Sequence, residues 1–136
     1  MSEVIGILED DDTRAKNLAM AFASLVPSAR LERRDNAPGF IAWLDQAFDS
    51  VKLLSLDHDL FLCLNVPEPG TGMVVVEFLL SRPARFPVLV HSANPQGGPE
   101  MARRLREAGW TTAWTGELPE SGEIDWSTRV RRALGL

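Results

Sequence analysis

Short apolar runs alternate along the chain with longer segments of helical periodicity. The runs fall at residues 4–8, 52–57, 87–91 and 110–114, with a more polar one at 29–34. Short runs dominated by apolar residues are typical of strands buried in a parallel sheet. The polar run favours a strand at the edge of the sheet. The pattern therefore predicts five strands.

The segments between these runs predict helices. Ala15, Leu18, Ala19 and Phe22 have the i, i+3, i+4, i+7 spacing of a buried helical face, and this helix should end near Pro27. Further helices are predicted after Asp35 or Asn36 with Pro38 in the first turn, at 73–80 after a cap at Thr71, at 99–108 and at 126–134. Each strand is thus followed by a helix.

This order of elements predicts one α/β domain over residues 1–136. Helices on both faces of a parallel sheet make a three-layer sandwich with right-handed crossovers. A doubly wound sheet of five strands commonly has the order 2-1-3-4-5, the flavodoxin-like arrangement. The first, third and fourth strands are then neighbours, and ligands bind beyond the carboxyl ends of such strands.

Reactive side chains follow these three strands directly. The first runs into Glu9-Asp10, the third into Asp57-His58-Asp59 and the fourth into His91-Ser92-Ala93-Asn94. Both histidines of the chain are in this set. Because neighbouring strands lie about 4.8 Å apart, these groups are expected to meet in one crevice.

Composition narrows the classes of function. The net charge is -5, with 14 basic and 19 acidic residues, and the basic residues are scattered, so binding to duplex nucleic acid is not expected. Cys63 is the single cysteine, so neither a disulfide framework nor a thiolate metal site is expected. The sequence contains no apolar run long enough for a membrane span and no basic leader, which predicts a cytoplasmic protein.

The strand tips resemble those of the receiver domain of response regulators over the whole chain. The resemblance rests on Glu9-Asp10, Asp57 and Ser92-Ala93. It implies that the acidic pair and Asp57 bind Mg²⁺ together with the backbone carbonyl of Asp59. It also implies that Asp57 accepts phosphate and that the Ser92 hydroxyl contacts it. The chain departs from receivers at the end of strand five, where 114–117 lacks the expected lysine.

Two blocks are more specifically similar to the cyclic-phosphate processing receiver domain, a divergent branch of the receiver superfamily. They are Leu56-Asp57-His58-Asp59-Leu60 and His91-Ser92-Ala93-Asn94. The resemblance implies action on cyclic nucleotides or on 2′,3′-cyclic phosphate ends of RNA. A small phosphorylated ligand or an RNA end would then be the partner, and a cyclic phosphodiesterase the possible enzyme.

The chemistry of such a reaction suits two imidazoles. Opening a cyclic phosphodiester needs a base for water and an acid for the leaving oxygen, and we assign His58 as acid and His91 as base, with the reverse left open. Ser92 and Asn94 are expected to donate hydrogen bonds to phosphate oxygens, and Arg103 to add charge if it faces inward. Mg²⁺ would be held by Glu9, Asp10, Asp57 and Asp59.

Other interpretations remain open. The carboxylates can simply cap a helix, and Arg103 can belong to a solvated helix face. Because side chains alternate along a strand, His91 points away from the crevice if Ser92 faces it, and a core histidine is then as good an interpretation. The chain can also be a receiver that binds a protein partner, with or without phosphate on Asp57, or a scaffold that has lost its activity.

Overall fold

A computed structural model of the protein describes residues 3–61, 67–118 and 126–136. Five parallel strands form one sheet in the order β2-β1-β3-β4-β5, as the sequence predicts. The strands are β1 (Val4–Leu8), β2 (Arg30–Arg34), β3 (Val51–Leu56), β4 (Val88–Val90) and β5 (Thr112–Trp114). Cys63 and the other residues at 62–66 of the long loop predicted after β3 lie outside the described residues.

Five helices cover the two faces of the sheet. They are α1 (Asp12–Leu25), α2 (Ala37–Ala47), α3 (Gly72–Leu80), α4 (Gly97–Glu107) and α5 (Trp126–Leu134). Asp11 caps α1 by accepting a hydrogen bond from the Arg14 amide at 2.8 Å, and Asn36 caps α2 in the same way. The 99–108 prediction for α4 starts two residues late, because the Asn94 side chain accepts the amide hydrogen bonds that open this helix.

Strand periodicity separates the core into two parts. Leu8, Leu54, Leu56, Val88 and Val90 pack towards α2, α3 and α4. On the opposite face, Ile5, Ile7, Leu53, Leu89 and Ala113 pack towards α1 and α5. Side chains on a strand alternate between faces, so from Ile5, Leu53 and Leu89 onward the odd-numbered residues of β1, β3 and β4 face α1 and α5. This alternation continues into the residues just beyond each strand and decides where the site lies.

Within the part of the chain that the structure describes, no helix has the length and apolar character needed to cross a membrane.

Candidate functional site

Three strands bring Glu9, Asp57 and His91 together at one end of the sheet. Each residue follows a strand at an odd-numbered position, so all three side chains emerge on the α1–α5 side. One ligand atom from each of them lies within 4.8 Å of the other two. We call this group the acidic triad. Glu9 and Asp57 are buried and His91 is half-buried.

His91 is held through both ring nitrogens. Its Nε2 lies 3.2 Å from Glu9 Oε1, and its Nδ1 lies 2.5 Å from Ser55 Oγ. Because Glu9 is a carboxylate and can only accept, Nε2 carries a hydrogen and donates it to Glu9. In the neutral ring, Nδ1 then accepts from the Ser55 hydroxyl, which is fully buried. His91 therefore lies beside the acids with both ring nitrogens hydrogen-bonded, and its side chain is only 6% exposed, as in a core histidine.

The two carboxyl groups of the triad have opposite protonation behaviour. Burial raises the pKa of Glu9, but hydrogen bonds from His91 and from the Asp11 amide outweigh it and lower the pKa to about 2. Burial raises the pKa of Asp57 as well, and the Glu9 charge adds to the effect of burial. The attraction of His91 and the hydrogen bond from the His58 amide only partly offset these effects, so the pKa of Asp57 rises to about 6.

Arg14, in the first turn of α1, places a guanidinium over these acids. Its Nη2 lies 3.3 Å from Glu9 Oε2, 3.7 Å from Asp10 Oδ1 and 4.0 Å from Asp57 Oδ2. The side chain is 59% exposed, so the cation reaches the carboxylates from the solvent side. Partial burial lowers the pKa of Arg14, but Glu9, Asp57 and Asp11 outweigh this effect and raise the pKa above its ordinary value, so the guanidinium stays charged.

Two cavities meet at these residues. The acidic cavity, about 340 Å³, is lined by Glu9, Asp10, Arg14, Asp57, Asp59, Phe61, His91 and Ala93. The α1–α5 cavity, about 470 Å³, is lined by Glu9, Arg14, Asn17, Leu18, Ala21, His91, Thr115 and Trp126. The two cavities share Glu9, Arg14 and His91.

His58 lies on the other side of the sheet end. Its Nδ1 is 2.7 Å from Asp59 Oδ1 and 3.4 Å from Asn94 Nδ2. A Cβ on Gly97 would lie only 2.5 Å from the ring, so the imidazole is packed flat against the first turn of α4. His58 is not among the described residues that line either cavity. The prediction that both imidazoles meet in one crevice is therefore wrong. His58 has an even number, so its side chain emerges on the opposite face of the sheet from His91.

The predicted phosphate-binding residues are also placed apart from the triad. Ser92 is buried and its hydroxyl accepts a hydrogen bond from the Asn94 amide at 3.0 Å. The Asn94 carboxamide accepts from the Gly97 amide at 2.7 Å and donates towards Asp59. Arg103 lies on the solvent face of α4, where its side chain pairs with Glu100 and Glu107. The structure thus gives Asn94 and Arg103 contacts within or beside α4, not with the triad.

The predicted metal ligands fit a divalent cation in part. Glu9 and Asp57 offer oxygens to one point, Asp10 lies beside them, and Asp59 lines the same cavity while its carboxylate contacts His58. His91 is also a possible metal ligand, although the sequence predicts a role for it in acid–base catalysis. Carboxylate oxygens are the donors that Mg²⁺ prefers, so the donor set suits this ion.

Two residues at the site were missed from the sequence. Ser55 is the single hydroxyl among the buried leucines of β3, which could have marked it as a partner for a buried polar group. Arg14 follows Asp10 by four residues, but Asp10 precedes the first residue of α1, so this spacing is only a weak signal.

Comparisons with known proteins agree on the fold. No curated protein matches the sequence significantly. CheY in a CheX–CheY–BeF₃–Mg²⁺ complex from Borrelia burgdorferi matches 96% of this chain and 85% of its own, with a TM-score of 0.66 and 13% identity. A response regulator from Burkholderia pseudomallei, with a phosphorylated aspartic acid, a calcium ion and citrate, matches 98% of this chain and 66% of its own, with a TM-score of 0.62 and 13% identity.

A third structure, the signal receiver domain of a putative LuxO repressor from Vibrio parahaemolyticus, matches 99% of this chain and 88% of its own. Its TM-score is 0.61 at 14% identity. Similarity at this level of identity establishes the receiver fold. The sequence itself matches the family described as the cyclic-phosphate processing receiver domain over residues 5–107. The chain therefore belongs to the cyclic-phosphate processing receiver domain family.

Proposed function

We propose that the chain binds a cyclic phosphate ester in the acidic cavity and hydrolyses it to a phosphomonoester. The observation that carries the proposal is the Ser55–His91–Glu9 hydrogen-bonded chain beside Asp57. It combines an oriented imidazole with a carboxyl group whose pKa is about 6. General acid–base catalysis works best with groups that titrate near the working pH. Cyclic nucleotides and 2′,3′-cyclic phosphate ends of RNA are the substrate classes.

The proton transfers can be assigned to these two residues. Ionised Asp57 takes a proton from water as the water oxygen forms its bond to phosphorus. The ring P–O bond breaks, and protonated His91 gives its Nε2 proton to the oxygen that leaves. The product is an acyclic phosphomonoester with a free hydroxyl. Before the transfer, Glu9 and Ser55 fix the ring through its two nitrogens at 3.2 and 2.5 Å. The leaving oxygen then replaces Glu9 as the acceptor of the Nε2 hydrogen.

Mg²⁺ belongs to this proposal because the same carboxylates would be its ligands. Glu9 and Asp57 would hold the ion, with Asp10 and the Asp59 carbonyl as the further ligands that the family resemblance implies. When bound, it would withdraw charge from a phosphoryl oxygen and so favour attack at phosphorus.

His58 is proposed as a positioning residue in place of the acid that the sequence suggested. Its backbone amide donates to Asp57 Oδ1 at 2.8 Å, and its ring is fixed between Asp59 and Gly97. The ring therefore orients the peptide that holds the Asp57 carboxylate. Ser92 and Asn94 hold the residues after β4 in place through the hydrogen bonds described above. Either side chain would have to give up these partners to contact a phosphate.

The test is hydrolysis of 2′,3′-cyclic AMP by the purified protein with Mg²⁺. His91→Gln and Asp57→Asn are each expected to lower kcat by about 10²–10⁴-fold. His58→Gln, which removes the other imidazole, is the matched control and should cost less than about tenfold. Absence of turnover by the wild type, or a larger loss in His58→Gln than in His91→Gln, would contradict the assignment.

A second function is supported by the position of Asp57. It ends β3 beside Glu9 and Asp10, in a fold whose solved relatives include a response regulator with a phosphorylated aspartic acid. In this alternative the chain is a receiver module that contacts a protein partner. Incubation with acetyl phosphate and Mg²⁺ should then add one phosphoryl group to the intact mass of the wild type. Asp57→Asn should abolish the adduct, and a wild type that gains no mass would rule the alternative out.

A further inference from the structure

We propose that the α1–α5 cavity is a binding subsite for the planar base of a nucleotide whose phosphate lies in the acidic cavity. This inference rests on the proposed function, since it assigns the organic part of the same ligand. It selects nucleotides over simple sugar phosphates as the substrate class.

The first support is the connection between the cavities. Arg14 and His91 line both of them, so a ligand that contacts these two side chains can extend into either space. Arg14 supplies a positive charge at the junction and is 59% exposed, which leaves its guanidinium accessible to an anion. A ligand whose phosphate lies at this junction could therefore place the rest of its structure in the α1–α5 cavity.

The second support is the chemistry of the cavity walls. Leu18 and Ala21 provide an apolar wall from α1, and Trp126, whose ring packs against Phe22, lines the cavity from the start of α5. Asn17 and Thr115 add an amide and a hydroxyl that can bond to the edge of a heterocycle. A volume of about 470 Å³ is within the range of small-molecule sites. An aromatic ring with polar edges matches these walls, whereas a sugar alone would leave the apolar surface uncovered.

Ala21 offers a variant that fills the cavity without touching the acidic triad. Ala21→Leu adds three carbons to the apolar wall and keeps a strong helix former in α1. Ala23→Leu is the matched control, because Ala23 is exposed on the same helix and is not among the residues that line the cavity. Both variants can be compared with the wild type for stability by thermal unfolding before binding is measured.

The experiment is isothermal titration calorimetry with adenosine 3′-monophosphate, ribose 5-phosphate and adenosine, in the presence of Mg²⁺. The wild type is expected to bind the nucleotide about tenfold more tightly than the sugar phosphate, as base stacking on an aromatic side chain provides. Ala21→Leu should abolish this preference and leave the affinity for ribose 5-phosphate unchanged, while Ala23→Leu should behave as the wild type.

Equal affinity of the wild type for nucleotide and sugar phosphate, or a preference that survives Ala21→Leu, would overturn the subsite. Neither result bears on the proposed hydrolysis. The position of the phosphate is tested separately, by the binding of ribose 5-phosphate, which Arg14→Gln should weaken. Conversely, adenosine that binds the wild type but not Ala21→Leu would support the subsite even if no cyclic phosphate is hydrolysed.

Discussion

Asp57→Asn is expected to stabilise the metal-free protein at neutral pH. Burial raises the pKa of Asp57 from 3.8 to about 6, so the folded state disfavours the carboxylate. A difference of about two pKa units corresponds to about 3 kcal/mol of unfolding free energy. The native state binds this proton more tightly, so the contribution is favourable below about pH 4 and is lost as pH rises towards 6. An uncharged asparagine of the same shape avoids that loss.

The measurement is urea unfolding in EDTA at pH 5, 6, 7 and 8. The gain of Asp57→Asn over the wild type should grow from pH 5 to 7 and then level off near 3 kcal/mol, which corresponds to a Tm increase of roughly 10 °C. Asp49→Asn is the control, because Asp49 is 76% exposed and pairs only with Arg85 at the surface among the described contacts. A gain that does not change with pH, or a loss of stability at pH 8, would refute the reasoning.

Three further predictions concern the same end of the sheet. Mg²⁺ at ten times its Kd should add about 1.4 kcal/mol of stability at pH 7.5 but little at pH 5, where a proton occupies Asp57, and an equal effect at both pH values would contradict this. Ser55→Ala leaves the buried His91 Nδ1 without its hydrogen-bond partner and should cost about 1–3 kcal/mol in urea unfolding, so a neutral change would argue against the contact. Asn94→Ala removes the side chain that accepts from the Gly97 amide at the start of α4 and should lower the free energy of unfolding by about 1 kcal/mol, measured as a lower Tm. An unchanged Tm would contradict this prediction and would indicate that water replaces the lost acceptor.

The strands and helices could be predicted from the sequence because they depend on local features, and the strand order followed from the arrangement common to doubly wound sheets of five strands. Runs dominated by apolar residues, such as 52–57, identify buried parallel strands. Asn36 and Pro38 mark the start of a helix, the first by its capping side chain and the second by its fixed backbone angle. The polar run at 29–34 became the edge strand β2, in which the residues are at most half-buried. The family followed from two short blocks of residues.

The details of the site could be predicted only in part. Alternation along a strand was the right rule, but the sequence alone did not say whether His91 or Ser92 faces the acids. The register of β4 against β3 settles this, since it pairs Leu89 with Ser55 and so places His91 and Asp57 on one face. Arg14 depends on how the first turn of α1 folds back over the strand ends, which is a tertiary property with no local signal strong enough to predict it.

The backbone hydrogen bond from the His58 amide to Asp57 Oδ1 has a mechanical consequence. Asp57 lines the acidic cavity, whereas the His58 ring lies against Gly97 at the start of α4. These adjacent residues therefore contact opposite layers of the sandwich. Any rearrangement of the carboxylate, by a proton, a cation or a phosphoryl group, acts on the one peptide that also carries the imidazole. We therefore expect the position of α4 to depend on the occupant of the acidic cavity, although the two lie on opposite faces of the sheet.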